Sequence, residues 1–104
     1  MKIKENPFDE KCYALLREVP RGKVTTYKSI AEALGTKAYR AVGNAMKRNP
    51  YAPEVPCHRV INSNGFLGGF AHGTLKKIKI LQSEGVDVKD KEINLDKYFY
   101  GFKK

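Results

Sequence analysis

The chain has 104 residues, 41% hydrophobic and 30% charged, which bounds it to one small domain with a single modest core. No apolar run approaches membrane-spanning length and Met1-Lys2-Ile3-Lys4-Glu5 lacks a signal peptide's apolar stretch, so an intracellular setting is expected: cytoplasmic, or nuclear in a eukaryote. Twenty Lys and Arg against eleven Asp and Glu give a net charge of +9, which favours a polyanionic partner, nucleic acid or an anionic surface.

Asn6-Pro7 has the form of a helix start, an N-cap side chain and then proline, with Asp9 and Glu10 in the first turn. Phe8, Cys12, Leu15, Leu16 and Val19 follow at helical spacing, which makes Cys12 a packed core thiol. Pro20-Arg21-Gly22-Lys23 is a turn and Val24-Thr25 is briefly extended. Thr26 can cap a second helix whose inner face is Tyr27, Ile30, Ala31 and Leu34, with Gly35 at its end. Thr36 then caps a third helix to about Asn49, stopped by Pro50. Two short helices around a glycine turn predict a helix-turn-helix.

At 100° per residue, Ala38, Ala41, Val42, Ala45 and Met46 share one face of the third helix. Lys37, Arg40, Asn44, Lys47 and Arg48 share the other, a cationic surface suited to lying along phosphates. Gly43 costs about 1 kcal/mol relative to alanine in a helix interior, which points to a close approach there.

The segment 50–56, punctuated by prolines, delivers Pro56-Cys57-His58-Arg59-Val60. A cysteine is a nucleophile only as its thiolate, which requires a nearby base or positive field. Pro56 and the β-branched Val60 and Ile61 favour an extended segment, in which Cys57 and His58 point to opposite faces and communicate through water. The two cysteines make no disulfide framework, and a reducing compartment leaves Cys57 free to react. Residues 62–73 form a glycine-rich loop around Phe66, Phe70 and His72, with Asn64-Gly65 as its turn, and His72 reads as a loop histidine. Thr74 can cap a fourth helix with Leu75, Ile78 and Leu81 inward and Lys76, Lys77 and Lys79 outward. That helix ends at Glu84-Gly85. A carboxylate there opposes the helix dipole by about 0.3–1 kcal/mol, so Glu84 needs a partner, and a histidine is the obvious candidate. The tail, 86–104, alternates and then turns aromatic (Tyr98, Phe99, Tyr100, Phe102); it is expected to pack back on the domain.

Taken in order, Thr26-Tyr27, the run from Arg40 to Met46, Asn49-Pro50, Pro56-Cys57-His58-Arg59-Val60 and Glu84-Gly85 resemble the DNA-binding, active-site domain of the O6-alkylguanine-DNA alkyltransferases. The resemblance covers the chain from about Pro7 to Val86. It implies a mainly α fold: one small domain over 1–104 with a helix-turn-helix, winged-helix-like core, an active-site cysteine segment and a C-terminal helix. The family's usual N-terminal domain is expected to be absent, and with it any structural metal.

The implied function is DNA repair, in which O6-alkylguanine, chiefly O6-methylguanine, is flipped from duplex DNA and its alkyl group passes irreversibly to Cys57. The protein would be consumed, one molecule per lesion, as a monomer needing no cofactor, metal or obligate protein partner. By resemblance Cys57 is the acceptor, His58 the water-linked base, and Glu84 the carboxylate that orients and charges it. Asn49 braces the turn before the active segment, and Tyr27 contacts the flipped base and its phosphate. Arg40 fills the space left in the duplex. Lys37, Asn44, Lys47, Arg48, Thr26 and Gly43 complete the DNA-binding set, which enters the minor groove rather than the usual major groove. Met46, Val60, Phe70, Ala71 and His72, with Tyr27, line the base pocket, and the Cys57 and Val60 carbonyls accept from the guanine amine.

Two departures bear on the pocket. Many relatives have tyrosine and serine where Phe70 and Ala71 stand, and glycine at His72, so the pocket is expected to disfavour bulky adducts and to prefer methyl over benzyl. Two rival readings remain. An alkyltransferase-like lesion-binding protein would flip bases without transfer, but such relatives have another residue, often tryptophan, at Cys57. A helix-turn-helix regulator would not need Cys57, His58 and Glu84 together. A zinc site from Cys12, Cys57, His58 and His72 lacks ligand spacing.

Overall fold

The computed structural model describes residues 7–52, 54–68 and 73–102. The expected N-cap Asn6 and the pocket residues Phe70, Ala71 and His72 lie outside them. Helix α1 spans Pro7–Leu16 and buries Cys12, Tyr13 and Leu16, together with Asp9. Val19, just beyond it, is also buried. Strand β1 (Thr25–Thr26) pairs in parallel with β2 (Val60–Ile61), Thr25 opposite Val60 and Thr26 opposite Ile61. All four residues are β-branched, the type that packs well on a pleated surface.

Thr26 ends the strand and caps α2 (Tyr27–Ala33), its Oγ1 accepting from the Ser29 amide, as its place before the apolar face predicts. Gly35 turns the chain at φ 75°, and α3 follows over Tyr39–Lys47. The third helix starts later than expected. Thr36 Oγ1 takes the Ala38 amide into a local turn, and Ala38, without a side-chain bond, becomes the N-cap.

Successive strand side chains point to opposite faces, and β2 uses both. Val60 joins the cluster packed among α1, α2 and α3, which includes Cys12, Leu16, Ile30, Val42, Met46 and Cys57. Ile61 joins a second cluster with Val24, Leu67, Leu81, Val86, Ile93 and Tyr98. The tail supplies much of that second cluster and so packs back as expected. It also adds a segment beside β1: Val24 N–H donates to Tyr98 O (2.9 Å), and Val24 O accepts from Tyr100 N–H (2.7 Å). A short helix, α5 (Leu95–Tyr98), forms where only alternation was read, because Asn94 caps it through the Asp96 amide. The mainly helical architecture with its α2–α3 helix-turn-helix stands.

Two further expectations fail locally. Residues Cys57–Arg59 form a single 3₁₀ turn rather than an extended segment, closed by Arg59 N–H to Pro56 O at 2.9 Å. Extension begins only at Val60. Helix α4 (Thr74–Ser83) takes Gly73, not Thr74, as its N-cap, and its inward set differs. Leu75 is 75% exposed, whereas Lys77 has no exposed surface. Lys77 and Leu81, four residues apart, share the buried face.

Candidate active site

Asn49 closes the bend after α3. Its side-chain amide donates to Val55 O (2.8 Å) and accepts from Tyr51 N–H (2.9 Å). Val55 O also receives the Cys57 amide at 2.9 Å, so Asn49 and Cys57 hang from one carbonyl. The 3₁₀ turn places Cys57 and His58 in the interior, 8% and 4% exposed.

Glu84 arrives from the opposite side of the site as the C-cap of α4, with Gly85 in the left-handed region (φ 91°) turning the chain away. His58 Nε2 lies 3.0 Å from Glu84 Oε2. A carboxylate only accepts, so Nε2 carries the hydrogen and Nδ1 is left as the basic nitrogen of a neutral ring. The partner expected for a misplaced carboxylate is therefore present.

Glu84 has a second partner that sequence reasoning named only as a neighbour of Cys57. Arg59 Nε reaches Oε1 at 3.0 Å and Nη2 reaches Oε2 at 2.7 Å, while Nη1 donates to Val19 O at 2.8 Å. Burial raises the Glu84 carboxyl, but the hydrogen bonds and charges of Arg59 and His58 outweigh it and hold it below 4.5. Burial lowers His58 below 6.5; Glu84 pulls upward, and the Arg59 and Lys77 charges reinforce the fall. Glu84 thus favours the charged ring, as the resemblance implied, while burial works against it.

Lys77, expected to point outward, is instead buried in the site's frame. Its Nζ donates to Val60 O (2.8 Å) and Leu67 O (2.7 Å). Burial pushes its pKa down to about 8, opposed by Cys57. Nothing in the run Lys76-Lys77-Ile78-Lys79 marks this lysine out except its four-residue spacing to Leu81. The Val60 carbonyl, expected to face guanine, already receives this ammonium.

Tyr27 opens α2 half-buried, and its phenol is raised first by burial and then by the charge of Cys57. A hollow of about 470 Å³ opens between Tyr27, Tyr39, Arg40, Gly43 and the 62–64 turn. A larger one, about 550 Å³, shares Ser63 and Asn64 with it but is lined mainly by 87–98 and holds none of the site residues. The smaller hollow gathers Tyr27, Arg40 and Gly43 of the expected site but is not lined by Cys57, His58 or Glu84. Met46 and Val60 are packed into the core cluster beside Cys57.

On the outer face of α3, Lys37, Arg40, Asn44 and Lys47 are exposed. Arg48 is exposed too, but its Nε and Nη2 each lie 2.8 Å from an oxygen of Asp9. Among the described residues, nothing outside its own helix backbone and chain neighbours comes within 4 Å of a Cβ built on Gly43. Among the described residues no group of three His, Cys, Asp or Glu gathers as metal ligands would, and no helix is long and apolar enough to cross a membrane.

The sequence model of the 6-O-methylguanine DNA methyltransferase DNA-binding domain matches residues 7–86. The methylated-DNA–protein-cysteine methyltransferase of Metallosphaera sedula is 45% identical over 89 residues, 86% of this chain and 56% of that protein. The crystal structure of O6-methylguanine-DNA methyltransferase from Pyrococcus kodakaraensis is 49% identical, with a TM-score of 0.72, over 78% of this chain and 47% of that one. S. pombe Atl1, crystallised with damaged DNA containing O6-carboxymethylguanine, is 33% identical with a TM-score of 0.83 over 96% of this chain and 100% of its own. The chain spans little more than half of the Metallosphaera relative, and 29% of the bifunctional methyltransferase/endonuclease of Picrophilus torridus.

Proposed function

The chain belongs to the family of the 6-O-methylguanine DNA methyltransferase DNA-binding domain, and we propose that it repairs duplex DNA by taking the alkyl group of O6-alkylguanine onto Cys57. The observation that carries this reading is the 3.0 Å contact of His58 Nε2 with Glu84, which leaves Nδ1 as a base one residue from Cys57. The lesion's alkyl carbon is enclosed in stacked duplex, so the base must be flipped out, at a cost of a few kcal/mol that a poorly paired base reduces. The exposed cations of α3 grip the backbone from the minor-groove side, and Arg40 occupies the space the base leaves.

The thiol proton passes through water to His58 Nδ1, and Cys57 Sγ attacks the alkyl carbon. The S–C bond forms as the C–O6 bond breaks. Guanine leaves with the electron pair and is protonated, Tyr27 serving as a donor. The product is a thioether that no residue here can cleave, so each molecule acts once, as a monomer without cofactor.

A second reading is favoured by one observation. The Atl1 chain, crystallised on damaged DNA, matches from end to end, which supports a protein that binds the lesion without transfer. The cysteine with a paired imidazole beside it favours transfer. Incubation with a duplex bearing one O6-methylguanine, followed by intact-protein mass measurement, separates them. Transfer predicts a gain of one methyl group that Cys57→Ser abolishes; binding with unchanged mass overturns it.

A further inference from the structure

Glu84 is shared between two partners. Oε2 meets both His58 Nε2 (3.0 Å) and Arg59 Nη2 (2.7 Å), and Oε1 meets Arg59 Nε (3.0 Å). The two-pronged guanidinium contact is the stronger hold on that carboxylate, since it makes two charge-assisted bonds, one to each oxygen. Arg59 is itself fixed: Nη1 is anchored on Val19 O, and its side chain is only 15% exposed. Three bonds to two separate segments, two to Glu84 and one to Val19 O, hold the guanidinium in place. The carboxylate edge presented to His58 is therefore set by Arg59.

We propose that Arg59 is a positioning residue of the transfer reaction: its grip on Glu84 aims the carboxylate at His58 Nε2 and keeps the imidazole neutral, so that Nδ1 stands ready to take the Cys57 proton. This rests on the transfer reading above. The charged groups acting on the ring are Glu84 and Lys77 from α4 and Arg59 from the 3₁₀ turn. One anion faces two cations, and the anion is already neutralised by one of them. Removing Arg59 leaves one cation against an unshared carboxylate, which favours the imidazolium. An imidazolium cannot accept the thiol proton, so the base would be occupied over part of the working pH range.

The chain has two histidines, His58 and His72, so imidazole protons can be followed through a pH titration by NMR and assigned with His72→Gln. In Arg59→Gln the His58 midpoint moves to higher pH. Alkyl transfer to Cys57 slows on the order of tenfold one pH unit below the new midpoint and recovers above it. Arg59→Lys, which keeps the charge but offers no fork, shows a smaller shift in the same direction. If Arg59→Gln does not fold, the Lys variant decides. An unmoved His58 midpoint in a folded variant, or a rate loss equal at every pH, overturns the proposal and makes Arg59 a staple between the Val19 segment and α4. The titration reads His58 without any reaction. A shifted midpoint with no alkyl gain in the unsubstituted chain therefore fails the transfer reading and leaves only Arg59's control of the His58 ring, while an unmoved midpoint beside normal transfer fails this proposal alone.

Discussion

Lys77 Nζ lies 2.8 Å from the carbonyl oxygen of Val60, and that bond ties α4 to the strand that follows Cys57. A second bond, 2.7 Å to Leu67 O, extends the tie to the segment leading into the glycine-rich loop. Burying an ammonium costs several kcal/mol unless its hydrogens are taken up, and here carbonyls take them. Lys77→Met would strip two buried carbonyls of a charged donor. We expect a loss of about 2–4 kcal/mol, two bonds to a charged group less the relief of removing a buried charge. The urea midpoint of unfolding measures it, and a change under about 0.5 kcal/mol, the range of a bland surface substitution, would show that the bonds carry no net stability.

The two arginines of α3 and its end should behave differently, although both lie on the cationic face. Arg48 holds Asp9, whose side chain is only 7% exposed, through both carboxylate oxygens. Arg48→Ala removes both bonds and should lower the urea midpoint, because the acid it leaves behind is buried. Arg40 makes no such ion pair among the described residues, and Arg40→Ala should leave stability within about 0.5 kcal/mol. Duplex affinity should fall in Arg40→Ala, and repair of duplex should suffer more than reaction with the free base. A smaller salt slope for binding would mark any lost phosphate contact, by about one unit per phosphate. Equal effects of both substitutions on stability and affinity would refute the division.

What could be read from the chain follows from how local each cause is. Thr26 caps α2 because the cap bond spans three residues, and Glu84 finds His58 because a carboxylate at a helix C-terminus is locally misplaced. Cys12 in the core follows from helical spacing alone. Lys77 turned inward and Leu75 outward could not be read, because periodicity weighs only apolarity. The carbonyls that hold Lys77 belong to segments 10 and 17 residues away. The 3₁₀ turn at Cys57 was hidden by the β-branched Val60 and Ile61, which do extend, but only after the turn. Arg59 on Glu84 and Arg48 on Asp9 are pairings across 25 and 39 residues, which no spacing rule reaches.

Gly43 offers a test in which stability and binding move apart. It lies inside α3 with helical backbone, and among the described residues a Cβ there would meet nothing beyond its own helix and chain neighbours. Gly43→Ala should therefore stabilise the fold by about 0.5–1 kcal/mol, the ordinary helix advantage of alanine. If the backbone of α3 lies against DNA, the added methyl intrudes there and nowhere else. Duplex affinity should drop while the thermal midpoint rises. A variant that is more stable and binds duplex equally well would mean that α3 does not approach DNA at this turn.

Cys12 makes the alkaline prediction. It has no exposed surface, and burial, followed by the charge of Asp9, pushes its thiol from 9.0 to about 11. Between those values the unfolded chain has lost the thiol proton while the folded chain keeps it. The native state then binds more protons, so stability falls as pH rises through this window. The decline attributable to Cys12 should reach at most about 2–3 kcal/mol by pH 11. Other groups titrate there too, so the measurement is the difference in unfolding free energy between the unsubstituted chain and Cys12→Ala at pH 8 and pH 11. The unsubstituted chain should lose ground to the variant as pH rises; a difference that stays constant would mean that Cys12 ionises as freely in the fold as outside it. At neutral pH the same burial should leave Cys12 unlabelled by iodoacetamide, and rapid labelling there would contradict the packed thiol directly.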